Sequence, residues 1–101
     1  MLYITQLIYL KAGQEEAFNQ FEAVAIPLIA KYNGQLLLRL RPSNGDAIIE
    51  SSIEIPYELH LVSFDTETDF SNFMHDEERK KFLHLKEQSI RTSMLMKGVL
   101  L

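Results

Sequence analysis

Cysteine is absent from this chain of 101 residues. Its absence excludes a disulfide framework, a thiolate nucleophile and a zinc site built on cysteines. Nothing in the sequence therefore requires an oxidising compartment, and we expect a cytoplasmic location. The sequence also lacks a phosphate loop, a nucleophile elbow, a dinucleotide fingerprint and a metal-binding motif, so no cofactor is predicted.

An excess of positive charge and a long apolar run are missing as well. Ten Lys and Arg residues stand against fourteen Asp and Glu residues, and the cations are scattered along the chain. Binding to a phosphate backbone requires a basic surface, so nucleic acid is not an expected partner. The N-terminal stretch "MLYITQLIYLK" is too short to span a bilayer and has no signal-peptide cleavage site, so no membrane partner is predicted either.

The composition is that of a small folded domain. Hydrophobic residues make up 47% of the chain. A chain of this size buries roughly two thirds of its unfolded surface, which is enough for a core without covalent cross-links. We therefore predict a single domain over residues 1–101.

Changes in hydrophobic period divide the chain into six segments. Residues 2–10, 35–41, 57–64 and 92–101 are rich in β-formers, whereas 14–32 and 66–91 carry apolar residues at helical spacing. Asn33 and Gly34 form a left-handed helix stop. Either Asp65 or Thr66 can cap the second helical segment, and Asp76 is a candidate for a further cap within it. Pro27 predicts a kink or a restart of the last helical turns. Residues 42–46 predict a turn, and residues 47–55 fit either a short ribbon or a mobile segment.

The order βαββαβ predicts the ferredoxin-like fold of the α+β class, an antiparallel sheet with its helices on one face. Such a fold leaves the other sheet face uncovered.

Two arginines stand among leucines in the stretch "QLLLRLRP". Alternation separates Leu36, Leu38 and Leu40 from the other set, which contains Arg39 and Arg41. Because isolated charges are costly to bury, we expect the three leucines to face the helices and the two arginines to lie on the uncovered face.

Pairing of the second and third strands follows from matching apolar and charged residues. If Leu38 lies opposite Leu61 and Leu40 opposite Leu59, then Arg39 lies opposite His60 and Arg41 opposite Glu58. The predicted uncovered face comprises Gln35, Leu37, Arg39, Arg41, Glu58, His60, Val62 and Phe64, with Tyr3, Thr5, Leu7 and Tyr9 from the first strand. This mixture is too apolar for open water, and a two-fold contact with a second copy would cover it. We therefore predict a homodimer formed through the uncovered sheet face.

The stretches "FEAVAIPLIAKYNGQLLLRLRP" and "PYELHLVSFDTETDF" resemble those of the dimeric α/β-barrel superfamily. The resemblance is greatest to its uncharacterised branch, domain of unknown function thirteen-thirty, which is related to antibiotic-biosynthesis monooxygenase-like proteins. Its pieces are Pro27 within the helix, the glycine turn into "LLLR" and the pattern P-x-E-x-x-x-V-x-F. Asn33 replaces the first glycine of the pair usual in that branch. The resemblance implies subunits that pack sheet against sheet, with pockets inside the barrel or between sheet and helices.

Five residues are candidates for a functional site. His60 beside Glu58 and Arg39 could serve as an acid–base group, or could be a hydrogen-bonded structural histidine. Arg39 and Arg41 could clamp an anion, or could pair with Glu58. Tyr9 could orient a phenolic ligand, or could pack in an interface.

These residues leave two functions open. The first is a cofactor-free monooxygenase or isomerase that acts on a small aromatic or enolisable acid, with His60 as the catalytic group. The second is a non-catalytic homodimeric module that binds a small molecule or serves assembly. A cavity of about 300 Å³ or more beside His60 would favour ligand binding, whereas direct closure of Arg41 on Glu58 would favour assembly.

Overall fold

The computed structural model describes residues 1–42 and 45–101, so that Ser43 and Asn44 of the predicted turn lie outside the described residues. Its strands are β1 Leu2–Leu10, β2 Gly34–Leu40, β3 Glu58–Phe64 and β4 Ile90–Gly98. Its helices are α1 Glu15–Leu28, α2 Glu67–Met74, α3 Glu77–Lys81 and α4 Leu83–Ser89. The strands form one antiparallel sheet in the order β2-β3-β1-β4. The predicted α+β, ferredoxin-like architecture is confirmed.

Helix α1 packs Phe18, Phe21 and Ala25 into the interior. The helix continues through Pro27 and becomes a 3-10 turn over Ile29–Tyr32. Pro27 lacks the N–H that would donate to the carbonyl of Ala23, and the helix continues without this hydrogen bond. Instead of the predicted kink or restart at Pro27, the winding changes to 3-10 from Ile29.

The turn from α1 into β2 depends on the two residues that the sequence singled out. Asn33 has a φ of 58°, which ends the helix in the left-handed conformation. A β-carbon built on Gly34 would lie 2.7 Å from Cγ2 of Ile29 and 2.7 Å from Cε1 of Phe64. Only glycine therefore allows the start of β2 to pass this close to the core.

The C-terminal helices begin at the predicted caps. The side chain of Thr66 accepts a hydrogen bond from the backbone N–H of Asp69, and that of Asp76 accepts one from Arg79. Helical structure was predicted up to residue 91, but it ends at Ser89, and β4 begins two residues earlier than expected. Residues 45–47 form a single 3-10 turn within the connection between β2 and β3.

A bulge at Leu37 reverses the alternation of β2. Leu36 lies opposite Val62, whereas Leu38 lies opposite Leu61, so that one extra residue is inserted between these pairs. After a bulge, each later side chain of the same strand lies on the face opposite to the one that unbroken alternation would give it. Leu38 and Leu40 therefore face away from the helices, and the prediction that they face the helical layer is wrong. The predicted pairings of Leu38 with Leu61, Leu40 with Leu59 and Arg39 with His60 are confirmed.

Strand β3 carries its charged residues toward the helices. Glu58, His60, Val62 and Phe64 are all buried, with exposed fractions of 0%, 5%, 8% and 1%. Their predicted place on the uncovered face, together with that of Arg39 and Arg41, is wrong. The error arose because apolar residues occupy both sides of β3 and because the charges were assumed to avoid the interior. These charges neutralise one another, which removes much of the cost of burial.

The sheet face opposite the helices is apolar, and we call it the open face. Its residues are Tyr3, Thr5, Leu7, Leu37, Leu38, Leu40, Leu59, Leu61, Met94 and Met96. Leu38 and Met94 expose 44% and 46% of their surface, although each lies on a strand of the sheet. Tyr3, Thr5 and Leu7 were predicted on this face correctly.

Candidate functional site

Glu58 is the centre of a buried cluster of charges. The Nε of Arg39 donates to Oε2 of Glu58 at 2.8 Å, and the Nε of Arg41 donates to Oε1 at 2.7 Å. The Nε2 of His60 is hydrogen-bonded to Oε2 of the same carboxylate. Four of the five candidate residues thus meet at one point, which we call the Glu58 cluster.

The neighbours of Glu58 keep it ionised. Burial by itself would raise the pKa of this carboxyl, but the hydrogen bonds from His60, Arg39 and Arg41 outweigh burial and lower the pKa to about 2. An ionised carboxylate can only accept hydrogen bonds, so the Nε2–H of His60 is the donor. In the neutral form of this imidazole the free lone pair is therefore on Nδ1, which has no hydrogen-bond partner among the described residues.

Arg41 is held in place by two groups besides Glu58. The guanidinium of Arg41 also donates to Oδ1 of Asn19 on α1 at 2.8 Å, and lies 4.9 Å from the ring centroid of Tyr57. Arg39 and Arg41 keep 34% and 41% of their side chains exposed, whereas Glu58 is fully buried. Arg41 thus closes directly on Glu58 with no space between them.

Tyr9 does not join this cluster. Its hydroxyl donates to the backbone carbonyl of Glu54 at 2.9 Å, and the guanidinium of Arg91 lies 5.7 Å from its ring centroid. It lines a different recess, beside Glu15 and Lys11. The side chain therefore anchors the connection between β2 and β3 to the sheet.

A cavity of about 130 Å³ lies between the sheet and the helices, next to the Glu58 cluster. We call it the helix–sheet cavity. Its polar lining consists of Gln6, Glu22, His60, Arg79, Lys86 and Ser93. Aromatic side chains from α1, α2 and β3, among them Phe21, Phe64 and Phe73, form much of the remaining wall. His60 is thus the member of the Glu58 cluster that reaches the cavity.

Glu22 is the functional candidate that the sequence analysis missed. It lies on α1, exposes 7% of its surface and has no hydrogen-bond partner among the described residues. Burial raises its pKa, and the nearby positive groups, His60 foremost, only partly oppose this effect. Its spacing of four residues from Phe18 and three from Ala25 places it on the buried stripe, and that spacing could have identified it.

Glu22, Glu58 and His60 each place one ligand-type atom within 4.8 Å of the other two. This spacing resembles that of a metal site with two carboxylates and one imidazole. However, both oxygens of Glu58 already accept hydrogen bonds from cationic side chains. The cluster is thus poorly suited to cation binding.

Replacing Glu22 by glutamine is expected to stabilise the protein at alkaline pH, where the buried carboxyl ionises. A carboxyl whose pKa is raised by folding contributes stability below its unfolded pKa and loses it as the pH rises through the folded pKa. We expect Glu22→Gln to gain about 1 kcal/mol at pH 8, the cost of one unpaired buried polar group, and to gain little at pH 4. Urea unfolding at both pH values measures this. Equal gains at the two pH values would contradict the assignment, and Glu16→Gln on the exposed side of α1 is the control.

The likeness of this chain to known proteins lies in its structure and not in its sequence. No protein-family model and no curated protein matches the sequence. Among residues 1–42 and 45–101, no helix has both the length and the apolar character needed to cross a membrane.

Three solved structures illustrate the likeness. A protein of unknown function from Rhodopseudomonas palustris is 12% identical with a TM-score of 0.82, covering 99% of this chain and 82% of its own. A Dabb-family protein with a ferredoxin-like fold from Mesorhizobium loti is 14% identical with a TM-score of 0.67, covering 99% and 96%. A dimeric ferredoxin-like protein of unknown function from a Jannaschia species is 14% identical with a TM-score of 0.71, covering 98% of each chain. At these identities the likeness establishes the fold alone, and the chain has the ferredoxin-like fold.

Proposed function

We propose that this protein is a cofactor-free isomerase that moves a proton on a small enolisable acid bound in the helix–sheet cavity. The observation that carries the proposal is the carboxyl of Glu22, which lies beside His60 at the cavity without a hydrogen-bond partner among the described residues, while Glu58 fixes the tautomer of His60. A base held in one tautomer and an acid with a raised pKa are the two groups that enolisation requires.

The reaction would run in three steps. Nδ1 of His60 removes a proton from the carbon next to the substrate carbonyl, and the electron pair of the C–H bond moves to form an enolate. The neutral carboxyl of Glu22 donates its proton to another atom of that enolate, which completes the isomerisation. A water molecule then carries the proton from His60 to the carboxylate of Glu22, since the two groups make no direct hydrogen bond, and restores both groups.

The size of the cavity favours an isomerase over a monooxygenase. Its volume of about 130 Å³ is close to that of engineered cavities of about 150 Å³ that hold benzene. Drug-sized ligands occupy pockets of about 300 to 1,000 Å³. The monooxygenase alternative, suggested by the likeness to antibiotic-biosynthesis monooxygenase-like proteins, needs room for both an aromatic substrate and dioxygen.

Deuterium exchange tests the proposal. Wild-type protein is mixed in D₂O with pyruvate and with acetoacetate, and loss of the exchangeable C–H signals is followed by proton NMR. We expect exchange faster than in buffer, and a decrease of about 100-fold or more in Glu22→Gln and in His60→Gln, the range typical of a lost acid–base group. Glu16→Gln keeps the wild-type rate. Exchange that is unaffected by both site variants would contradict the proposed roles.

The second candidate is a non-catalytic homodimeric module that binds a small molecule or serves assembly. It is favoured by the direct closure of Arg41 on Glu58 and by a cavity smaller than most ligand pockets. Wild-type protein that accelerates no exchange would favour this alternative.

We also propose that two copies associate through the open face. This face exposes Leu37, Leu38 and Leu40 on β2 and Met94 and Met96 on β4, each by 40% or more. Apolar patches of this kind on a small protein mark contact surfaces. The protein from Jannaschia with the same fold is described as dimeric. A cytoplasmic location remains a prediction from the sequence.

A further inference from the structure

Two basic side chains of the helix–sheet cavity have no carboxylate partner within the described part of the chain. Arg79 lies on α3 and Lys86 on α4, and both line the cavity together with Glu22 and His60. Other cations of these helices, Lys80 and Lys81, pair with Glu77 and Glu78 at the protein surface. Arg79 and Lys86 are thus set apart by both their position and their lack of an ion pair.

Arg79 is buried to an unusual degree for an arginine, since only 6% of its surface is exposed. Its Nη1 donates to the backbone carbonyl of Met74 at 3.1 Å, while its buried Nε has no hydrogen-bond partner among the described residues. The guanidinium lies 5.6 Å from the ring centroid of Phe21 and 5.3 Å from that of Phe73. The two rings hold the guanidinium at the cavity wall, but they do not neutralise its charge.

The charges around the cavity do not balance. The charge of Glu58 is already shared by Arg39 on β2 and by Arg41, which directly follows that strand. Burial disfavours the ionised form of Glu22, the remaining acid of the lining, and raises its pKa. Burial and the nearby Arg79 lower the pKa of Lys86, and the carboxyl groups of Glu22 and Glu87 only partly oppose this effect. An anionic ligand would supply the missing charge.

We propose that Arg79 and Lys86 recognise the carboxylate of the substrate, and that the substrate is a compact oxo monocarboxylate of about six or seven non-hydrogen atoms, the size of molecule that such a volume admits. The inference rests on the proposed function, because it assigns the binding end of the same cavity. A guanidinium and an ammonium hold a carboxylate through charge-assisted hydrogen bonds. The acid–base pair of Glu22 and His60 then faces the oxo end of the molecule.

The test compares two probes of the same shape. Acetoacetate carries a carboxylate, and acetoacetamide replaces that group by a neutral amide of equal size. Binding of each to the full chain at pH 7 is measured by NMR titration. We expect acetoacetate to bind at least about tenfold more tightly, because hydrogen bonds to charged groups are stronger than those between neutral groups.

Substitutions assign this preference to the two cations. Lys86→Gln is expected to reduce the preference for acetoacetate by about fivefold or more, since it removes one of the two cations. Lys86→Arg retains the preference, and Lys81→Gln removes an equal charge from the surface of α3 as a control. Arg79→Gln should abolish the preference; if that variant does not fold, the two Lys86 variants decide.

The outcomes separate this inference from the proposed function. Equal affinity for the two probes, no binding of either, or an unchanged preference in Lys86→Gln would overturn recognition by Arg79 and Lys86. Acetoacetate that binds selectively but exchanges no deuterium would overturn the proposed enzyme and leave the anion site in place. Deuterium exchange that is equally fast in acetoacetate and in acetoacetamide would overturn the anion site and leave the proposed enzyme in place.

Discussion

Replacement of both Arg39 and Arg41 by methionine is expected to lower the free energy of unfolding by about 3 kcal/mol at pH 7, the lower end of the range for a buried charge that loses its partners. Glu58 has no exposed surface, and the two guanidinium groups donate to its two oxygens. His60 stays as a hydrogen-bond donor, so the loss does not reach the upper end of that range. Urea unfolding at a fixed protein concentration measures the change.

The unpaired carboxylate of Glu58, and not the loss of two long side chains, is the expected cause of the lower free energy of unfolding. Adding Glu58→Gln to the double variant should therefore restore most of the stability, because no buried charge then remains. Wild-type Glu58, with its pKa lowered to about 2, contributes stability above its ordinary pKa of 4.5 and loses it as the pH falls through about 2. That contribution should be missing in the double variant. The exposed pair of Arg91 with Glu54 provides a control, since Arg91→Met should cost less than about 1 kcal/mol. A double variant as stable as the wild type would show that the cluster does not compensate Glu58.

Replacement of Leu61 by arginine is expected to convert a dimer into a monomer. Leu61 lies on the central strand β3, between Thr5 of β1 and Leu38 of β2, in the middle of the open face. In a two-fold contact the substitution occurs twice and brings two like charges together in an apolar interface. We expect the dissociation constant to rise by about 1,000-fold or more, since each buried, unpaired charge costs several kcal/mol.

Light scattering and sedimentation over a range of micromolar concentrations measure this change. Ala23→Arg, on the exposed side of α1, is the control and should leave the mass unchanged. A helical circular dichroism spectrum equal to that of the wild type would show that Leu61→Arg still folds. A wild-type protein that is monomeric throughout the range, or a Leu61→Arg variant that stays dimeric, would contradict association through the open face.

Much of the fold could be predicted because local signals and strand pairing agree. Asn33 and Gly34 end α1 as expected, Thr66 and Asp76 cap their helices, and the pairing of Arg39 with His60 follows from charge and apolar matching. These features depend on residues close in sequence or on a single pair of strands. Pairing is also independent of which face of the sheet the helices cover, so it could be correct while the faces were reversed.

The face of β2 beyond Leu37 could not be predicted because a bulge has no strong sequence signal. Leu37 is one leucine in a run of three, and nothing in the run indicates that alternation changes there. The position of Glu22 was missed for a different reason. A charged residue on a helix is normally taken to face solvent, and only the tertiary structure shows that this carboxyl meets His60.

The residue inserted at Leu37 determines which later side chains of β2 face the helices, so a change of one residue in the length of this strand has a large effect. A deletion of one residue at this position would leave the composition of the strand almost unchanged, yet it would turn Leu38 and Leu40 toward the helices and both guanidinium groups outward. Glu58 would then lie in the interior without its two arginine partners, and the open face would acquire two positive charges. Among relatives, a gap of one residue in this leucine run should therefore coincide with the loss of the acid equivalent to Glu58.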